Sequence, residues 1–152
     1  PVPVVDGKTQ SSGAKASAIV LKKEFTDVKD LLCIDYTSAY STPSLDKLVR
    51  TFVYDRQGKG SFTVGDEFTA NAPIRFETAI TTQANWKIID DTHLLLTTGT
   101  EQMTVTIEAS GKVAFTSETI EVNSPAYTRI GISLKEQSKD GYIRLTMRTK
   151  QL

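Results

Sequence analysis

The sequence has 152 residues, with 18 basic and 18 acidic side chains, one histidine and one cysteine. A net charge of zero argues against nucleic acid as a partner, because nucleic-acid-binding proteins carry a basic patch. The lack of any apolar run of about 18 residues argues against a membrane-spanning helix. A chain of this length fits one domain, so we predict a single domain over residues 1–152. Cys33 lies in an apolar stretch and is predicted to be a buried thiol.

The first residues have the pattern of a β-strand. Pro1 to Val5 is extended in character, and Asp6-Gly7 is typical of a tight turn between paired strands. The sequence begins inside this strand pattern and has no initiating methionine. We therefore expect the chain to be a C-terminal fragment of a larger multidomain protein, with any signal peptide upstream.

Period-two alternation of apolar and polar residues continues along most of the chain and is clearest from Met103 to Ala109. Similar runs occur at 16–25, 31–36, 48–54, 62–68, 74–80, 93–97, 113–115, 130–134 and 143–147. Glycine-containing segments at 56–60, 109–112 and 138–141 are predicted to form hairpin turns. One helical turn is predicted at 42–47, capped by Ser44. The pattern as a whole predicts an all-β fold, an antiparallel two-sheet β-sandwich.

Few residues are suited to catalysis. A metal site needs three or four converging ligands, and the carboxylates that are available lack calcium-loop spacing, so we predict no metal or other cofactor in this chain. His93 has no nucleophile motif near it and is predicted to be structural. Glu24 with Asp27, or Asp66 with Glu67, could act as an acid–base pair on a sugar, although solvated turns at strand ends are the commoner place of such residues. We assign no catalytic residue.

Trp86 has two interpretations. Aromatic rings stack on sugars, so Trp86 is a candidate glycan contact. It also opens a predicted strand, where a tryptophan commonly fills the core. The sequence leaves both interpretations open.

Several short motifs resemble the C-terminal β-rich part of the heparinase II/III-like polysaccharide lyases. They follow the family order over most of the chain: Val4-Val5-Asp6-Gly7-Lys8-Thr9-Gln10, Glu24-Phe25, Ala39-Tyr40, Leu48-Val49-Arg50-Thr51-Phe52-Val53-Tyr54-Asp55-Arg56 and Gly65-Asp66-Glu67-Phe68. The resemblance implies a β-sandwich joined, in the same polypeptide, to an N-terminal (α/α) toroid. It also implies a parent enzyme that cleaves uronic-acid-containing polysaccharide, heparin-like, heparan-like or related, by β-elimination in the cleft between the two parts.

The catalytic and metal-binding residues of that family have no counterpart in this sequence. The toroid is absent, and the family's sandwich histidines lie upstream of a position like Val4-Val5-Asp6-Gly7. The resemblance therefore implies a sandwich that is not active alone, in a bacterial protein that is periplasmic or secreted. The toroid and an acidic polysaccharide are the implied partners, and the ligands of a structural metal in the parent would lie upstream.

The resemblance also places Asp6 and Gln10 near the rim of the cleft. The ordinary role of Asp6-Gly7 as a hairpin turn is the alternative. For the whole chain, the alternative function is an autonomous carbohydrate-binding or structural β-sandwich module of an exported protein.

Overall fold

The computed structural model describes residues 1–14, 16–121 and 126–150. Over these residues the chain forms one turn of 3-10 helix, η1 (Thr37–Ala39), and twelve β-strands. The strands are β1 (Val4–Val5), β2 (Ile19–Phe25), β3 (Lys29–Asp35), β4 (Leu45–Asp55), β5 (Ser61–Ile74), β6 (Phe76–Thr82), β7 (Asn85–Asp90), β8 (His93–Thr98), β9 (Glu101–Ala109), β10 (Val113–Ile120), β11 (Tyr127–Leu134) and β12 (Ser138–Lys150).

The strands form two antiparallel sheets of unequal size. The small sheet has four strands in the order β1-β6-β11-β10, and the large sheet has eight in the order β2-β3-β4-β5-β12-β9-β8-β7. The prediction of an all-β, two-sheet antiparallel sandwich is confirmed. Within the described residues, no helix is long and apolar enough to cross a membrane.

The core lies between the two sheets because alternate residues of each strand face inward. Phe68 on β5 stacks on Phe76 on β6, with ring centroids 4.6 Å apart across the sandwich. Leu48, Ile130 and Ile143 are completely buried around them. Burial of each such side chain contributes about 1.5–3 kcal/mol, so the apolar layer between the two sheets is the main source of stability.

Two of the four predicted turns are confirmed. Asp6 and Gly7 both have positive φ, 49° and 76°, in a two-residue hairpin closed by Val5 and Lys8. The segment at 56–60 joins the antiparallel neighbours β4 and β5. Asparagine, aspartate and glycine tolerate this left-handed conformation best, which is why such turns can be predicted from the sequence.

The other two hairpin predictions are wrong. Residues 109–112 connect β9 in the large sheet to β10 in the small sheet, and 138–141 belong to β12 itself. Gly141 serves close packing and not a turn, since a Cβ there would lie 3.1 Å from the Phe68 ring. A glycine that makes room for a neighbour looks the same in sequence as a glycine that turns the chain.

Two further local predictions are also wrong. No helical turn forms at 42–47, because β4 begins at Leu45, which is buried in the core; the 3-10 turn η1 lies upstream, at Thr37–Ala39. Cys33 is only half-buried, since it lies in the cross-strand row of Thr51, on the outer face of the large sheet. The assignment of one domain over 1–152, and its place in a longer protein, stay predictions.

Candidate functional site

Two charged residues occupy inward-facing positions on neighbouring strands. Arg50 on β4 lies directly opposite Asp66 on β5. Arg50 donates from Nε to Asp66 Oδ1 at 2.7 Å and from a terminal nitrogen to Oδ2 at 2.8 Å. The two residues are 8% and 1% exposed, so this two-pronged ion pair is almost wholly removed from water.

The remaining polar atoms of the pair have partners on other elements. Tyr36, next to η1, donates its hydroxyl to Asp66 Oδ1 at 2.7 Å, and Thr78 on β6 donates to Oδ2 at 2.9 Å. The other terminal nitrogen of Arg50 donates to the carbonyl of Pro1 at 2.8 Å. We call Tyr36, Arg50, Asp66 and Thr78 the polar cluster. Because Thr78 belongs to the small sheet, the polar cluster joins the two sheets.

The electrostatics of the polar cluster keep the phenol of Tyr36 neutral and the guanidinium of Arg50 charged. Burial, together with the charge of Asp66, raises the pKa of Tyr36 far above its usual range, and burial also raises the pKa of Tyr40. For Arg50, burial acts to lower the pKa, but the hydrogen bonds and charge of Asp66 outweigh it, and the net pKa is raised. Tyr36 is therefore a poor general base, because its ionised form is strongly disfavoured.

A cavity of about 430 Å³ lies beside the polar cluster. Its lining includes Gln10, Tyr36, Arg50 and Phe52. The structure thus brings Gln10, which is exposed, close to the polar cluster, although the two are far apart in sequence.

Asp6 lies at a different place. Its carboxylate accepts a hydrogen bond from the backbone N–H of Arg75 at 2.8 Å, which ties the β1 hairpin to the start of β6. It lines a separate cavity of about 1080 Å³ with Arg75 and Glu77. Its geometry is that of the hairpin turn, the alternative that the sequence offered for this residue.

Trp86 lies on β7, at the far edge of the large sheet. It pairs with Leu96 in the inward-facing row and packs, partly buried, against the core. Asp6, Gln10 and Trp86 are thus not brought together, and a role in cleft or glycan contact stays a prediction for each.

His93 forms a local turn network. Its Nδ1 lies 2.9 Å from Asp90 Oδ1 and 3.0 Å from the Thr92 hydroxyl. The backbone N–H of Thr92, with help from the side chains of His93 and Thr92, lowers the pKa of Asp90 to about 2. Among the described residues, no three His, Cys, Asp or Glu side chains converge in a way that could hold a metal ion.

The polar cluster was missed by the sequence interpretation, which treated Asp66-Glu67 as a strand-end carboxylate pair. The structure separates them, because neighbouring residues of a strand face opposite sides: Asp66 is buried and Glu67 is exposed. The alternation of apolar and polar residues does contain a signal that Asp66 and Arg50 face inward. Asp66 falls between Val64 and Phe68 on the apolar register of its strand, as Arg50 falls between Leu48 and Phe52.

Part of the inner surface of the large sheet is exposed, toward the edge formed by β2 and β3. The register places three aromatic residues, Phe25, Tyr54 and Phe62, in one cross-strand row on the same side as the polar cluster, and Asp30, which pairs with Arg56, lies in that row between Phe25 and Tyr54. These three side chains are 66%, 44% and 38% exposed. The next row adds Leu32 and Phe52, and Phe52 stacks on Phe62 at 6.4 Å. We call this surface of Phe25, Leu32, Phe52, Tyr54 and Phe62 the open face.

The open face continues into a cavity at the mouth of the sandwich. This cavity, of about 410 Å³, is lined mainly by apolar side chains, including Phe62, Ile80, Leu145 and Met147. A group of exposed aromatic side chains on one face, as here around the Asp30–Arg56 ion pair, is a candidate interaction surface.

The fold and this site define a class of protein: an antiparallel β-sandwich with a closed polar cluster and one uncovered apolar face. No family profile and no curated protein sequence matches the chain. Solved structures do match. The heparan sulfate lyase HepC from Pedobacter heparinus aligns with a TM-score of 0.76 at 13% identity, over 99% of this chain and 24% of that one.

Two heparinase III structures match similarly. One, the BT4657 gene product, has a TM-score of 0.73 at 12% identity, and the other has 0.70 at 16%; each alignment covers 99% of this chain and 24% of the heparinase. At such identities the likeness shows the fold alone. The resemblance to the β-rich part of heparinases is confirmed at that level, and the chain spans about a quarter of the length of the structures it matches.

Proposed function

We propose that this chain is the non-catalytic β-sandwich of a larger polysaccharide lyase. In the proposed parent, an N-terminal (α/α) toroid packs against it, and a uronic-acid-containing polysaccharide is cleaved by β-elimination between the two. A periplasmic or secreted location in a bacterium belongs to the same proposal. The observation that carries it is the open face, since aromatic side chains with this exposure need a partner surface.

Two further observations support the proposal. The alignments cover 24% of each matched heparinase, so about three quarters of each heparinase lies outside the part that is similar to this chain. Neither ionisable oxygen group of the polar cluster is suited to act as a base. The Asp66 carboxylate already accepts four hydrogen bonds, and the raised pKa of Tyr36 keeps its phenol protonated.

The first experiment measures the open face directly. We expect the chain to bind an environment-sensitive hydrophobic dye and to self-associate, and we expect Phe25→Ser combined with Phe62→Ser to reduce both. The matched control is Ile88→Ser combined with Ile89→Ser, which removes two exposed apolar side chains from β7 at the opposite edge. Equal effects of the two double variants, or no dye binding by the chain, would contradict an interface at the open face.

The second experiment tests whether the chain alone lacks lyase activity and whether a helical part is encoded upstream of it. With heparan sulfate and other uronic-acid polysaccharides, the chain alone is expected to produce no ultraviolet absorbance from unsaturated product. Translation of the gene upstream of the Pro1 codon is expected to reveal several hundred residues of helical periodicity. Product formation by the chain, or a short leader that ends directly at Pro1, would refute the proposal.

A further inference from the structure

The outer face of the large sheet contains a depression whose floor is a glycine. Cross-strand register places Gly65 on β5 between Thr51 on β4 and Arg144 on β12. Because Gly65 has no side chain, that of Arg144 lies over it, with Cγ 3.6 Å from the position a Cβ would take. The resulting cavity has a volume of about 570 Å³. We call it the Gly65 depression.

The walls of the Gly65 depression combine an aromatic ring with hydrogen-bonding groups. Tyr142 is 39% exposed, and the Arg144 guanidinium lies 5.8 Å from its ring centroid. Thr51, Thr63 and Glu67 complete the polar lining. An exposed ring beside hydroxyl, carboxylate and guanidinium groups suits a ligand with an apolar face and several hydroxyl groups, which is the character of a pyranose.

The charge of the site decides between classes of saccharide. Arg144 already contacts Glu108, with 3.1 Å between the guanidinium nitrogen and the carboxylate oxygen. Glu67 lies directly opposite Tyr142 in the register. Within the depression one cation therefore faces two carboxylates, so a sulfate or uronate group bound there would meet net repulsion, whereas the hydroxyl groups of a neutral sugar can donate to carboxylates.

We propose that the Gly65 depression binds a neutral pyranose residue, which stacks on Tyr142 and hydrogen-bonds to Glu67 and Arg144. The inference goes beyond the proposed function, because the site lies on the opposite surface of the large sheet from the open face. It concerns a neutral glycan and not the acidic polysaccharide proposed for the parent enzyme.

The test is a two-dimensional amide NMR titration of the 152-residue chain. The neutral probes are cellohexaose, xylohexaose and mannohexaose, and the acidic probe is a heparan sulfate tetrasaccharide. We expect at least one neutral probe to shift the amides of Gly65, Tyr142 and Arg144, and the acidic probe to leave them unchanged. Tyr142→Ala should weaken binding about tenfold through loss of stacking.

Two variants separate binding from folding. Gly65→Val should fill the floor and weaken binding to a similar extent; a Cβ there makes only ordinary contacts with the flexible Arg144 side chain, and a circular dichroism spectrum like that of the unaltered chain checks that the variant folds. Tyr54→Ala is the matched control, because Tyr54 is also an exposed tyrosine under an arginine, Arg56 at 4.8 Å, but on the opposite surface. It should bind the probe like the unaltered chain.

Three results would overturn the inference: no shift at these amides with any neutral probe, unchanged binding by both Tyr142→Ala and Gly65→Val, or tighter binding of the acidic probe at the same amides. These outcomes are independent of the proposed interface. Phe25→Ser with Phe62→Ser should leave saccharide binding intact, and Tyr142→Ala should leave dye binding intact.

Discussion

Replacement of Asp66 by asparagine tests whether the buried ion pair is a main determinant of stability. The substitution keeps the shape of the side chain but removes its charge, so the guanidinium of Arg50 is left buried without a counter-ion. Four donated hydrogen bonds converge on Asp66 from Arg50, Tyr36 and Thr78. An asparagine amide would place its own donors against at least one of them.

The expected loss is large for a domain of this size. Removal of one partner of a buried ion pair costs about 3–5 kcal/mol, a substantial share of the roughly 5–15 kcal/mol that stabilises a typical domain. With about 2–4 °C per kcal/mol, the melting temperature should fall by about 6–20 °C. Tyr36→Phe removes a single hydrogen bond to the same carboxylate and should cost less, about 1.5–3 kcal/mol.

The assay is urea unfolding followed by circular dichroism and by the fluorescence of Trp86, the only tryptophan. The matched control is Asp30→Asn, which breaks the exposed pair of Asp30 with Arg56 and should have a much smaller effect. Arg50→Met combined with Asp66→Leu should recover part of the loss, because it leaves no unpaired charge, although the hydroxyl groups of Tyr36 and Thr78 then lose their acceptor. A cost for Asp66→Asn no larger than that for Asp30→Asn would refute the reasoning.

Three other predictions follow from local geometry. Gly131→Ala should lower the free energy of unfolding by about 1–3 kcal/mol in thermal denaturation, because a Cβ there collides with the Thr116 hydroxyl and lies 3.0 Å from Glu77, whereas Gly111→Ala, with open space around it, should be nearly neutral. In an alkaline titration followed by tyrosine ring NMR, Tyr36 and Tyr40 should ionise only on unfolding; the unfolded chain releases these protons near pH 10, so stability should fall as pH rises above about 10. A carboxyl NMR titration should find Asp90 with a pKa of about 2, so its contribution to stability is present above about pH 4 and is lost as pH falls toward 2. In His93→Ala, the Asp90 pKa should stay below its ordinary value of 3.8, since the Thr92 N–H is the largest cause of the shift, and a return to that value would contradict the assignment.

The candidate site shows where sequence reasoning reached its limit. The family resemblance predicts Gln10 at a cleft rim, and Gln10 does line a cavity, but nothing in the sequence links it to Tyr36 and Arg50, which give this cavity its chemistry. Gln10 comes near Tyr36 and Arg50 only because the segment around Gln10, the residue that follows β3 and strand β4 lie side by side in the folded chain. No local pattern encodes that arrangement.

Most of the strands, and the sandwich they form, can be predicted from sequence, because period-two alternation expresses a local requirement that one face of each strand be buried. The Asp6-Gly7 hairpin can be predicted as well, because positive φ is a local property of those residues. Three features become visible only in the folded chain: β9 and β10 lie in different sheets, Asp66 is buried, and Gly65 and Gly141 make room for neighbouring side chains. The physical reason is that these features depend on which strands pair and which sheet covers them. Such contacts join residues far apart in the chain, and no short stretch of sequence contains both partners.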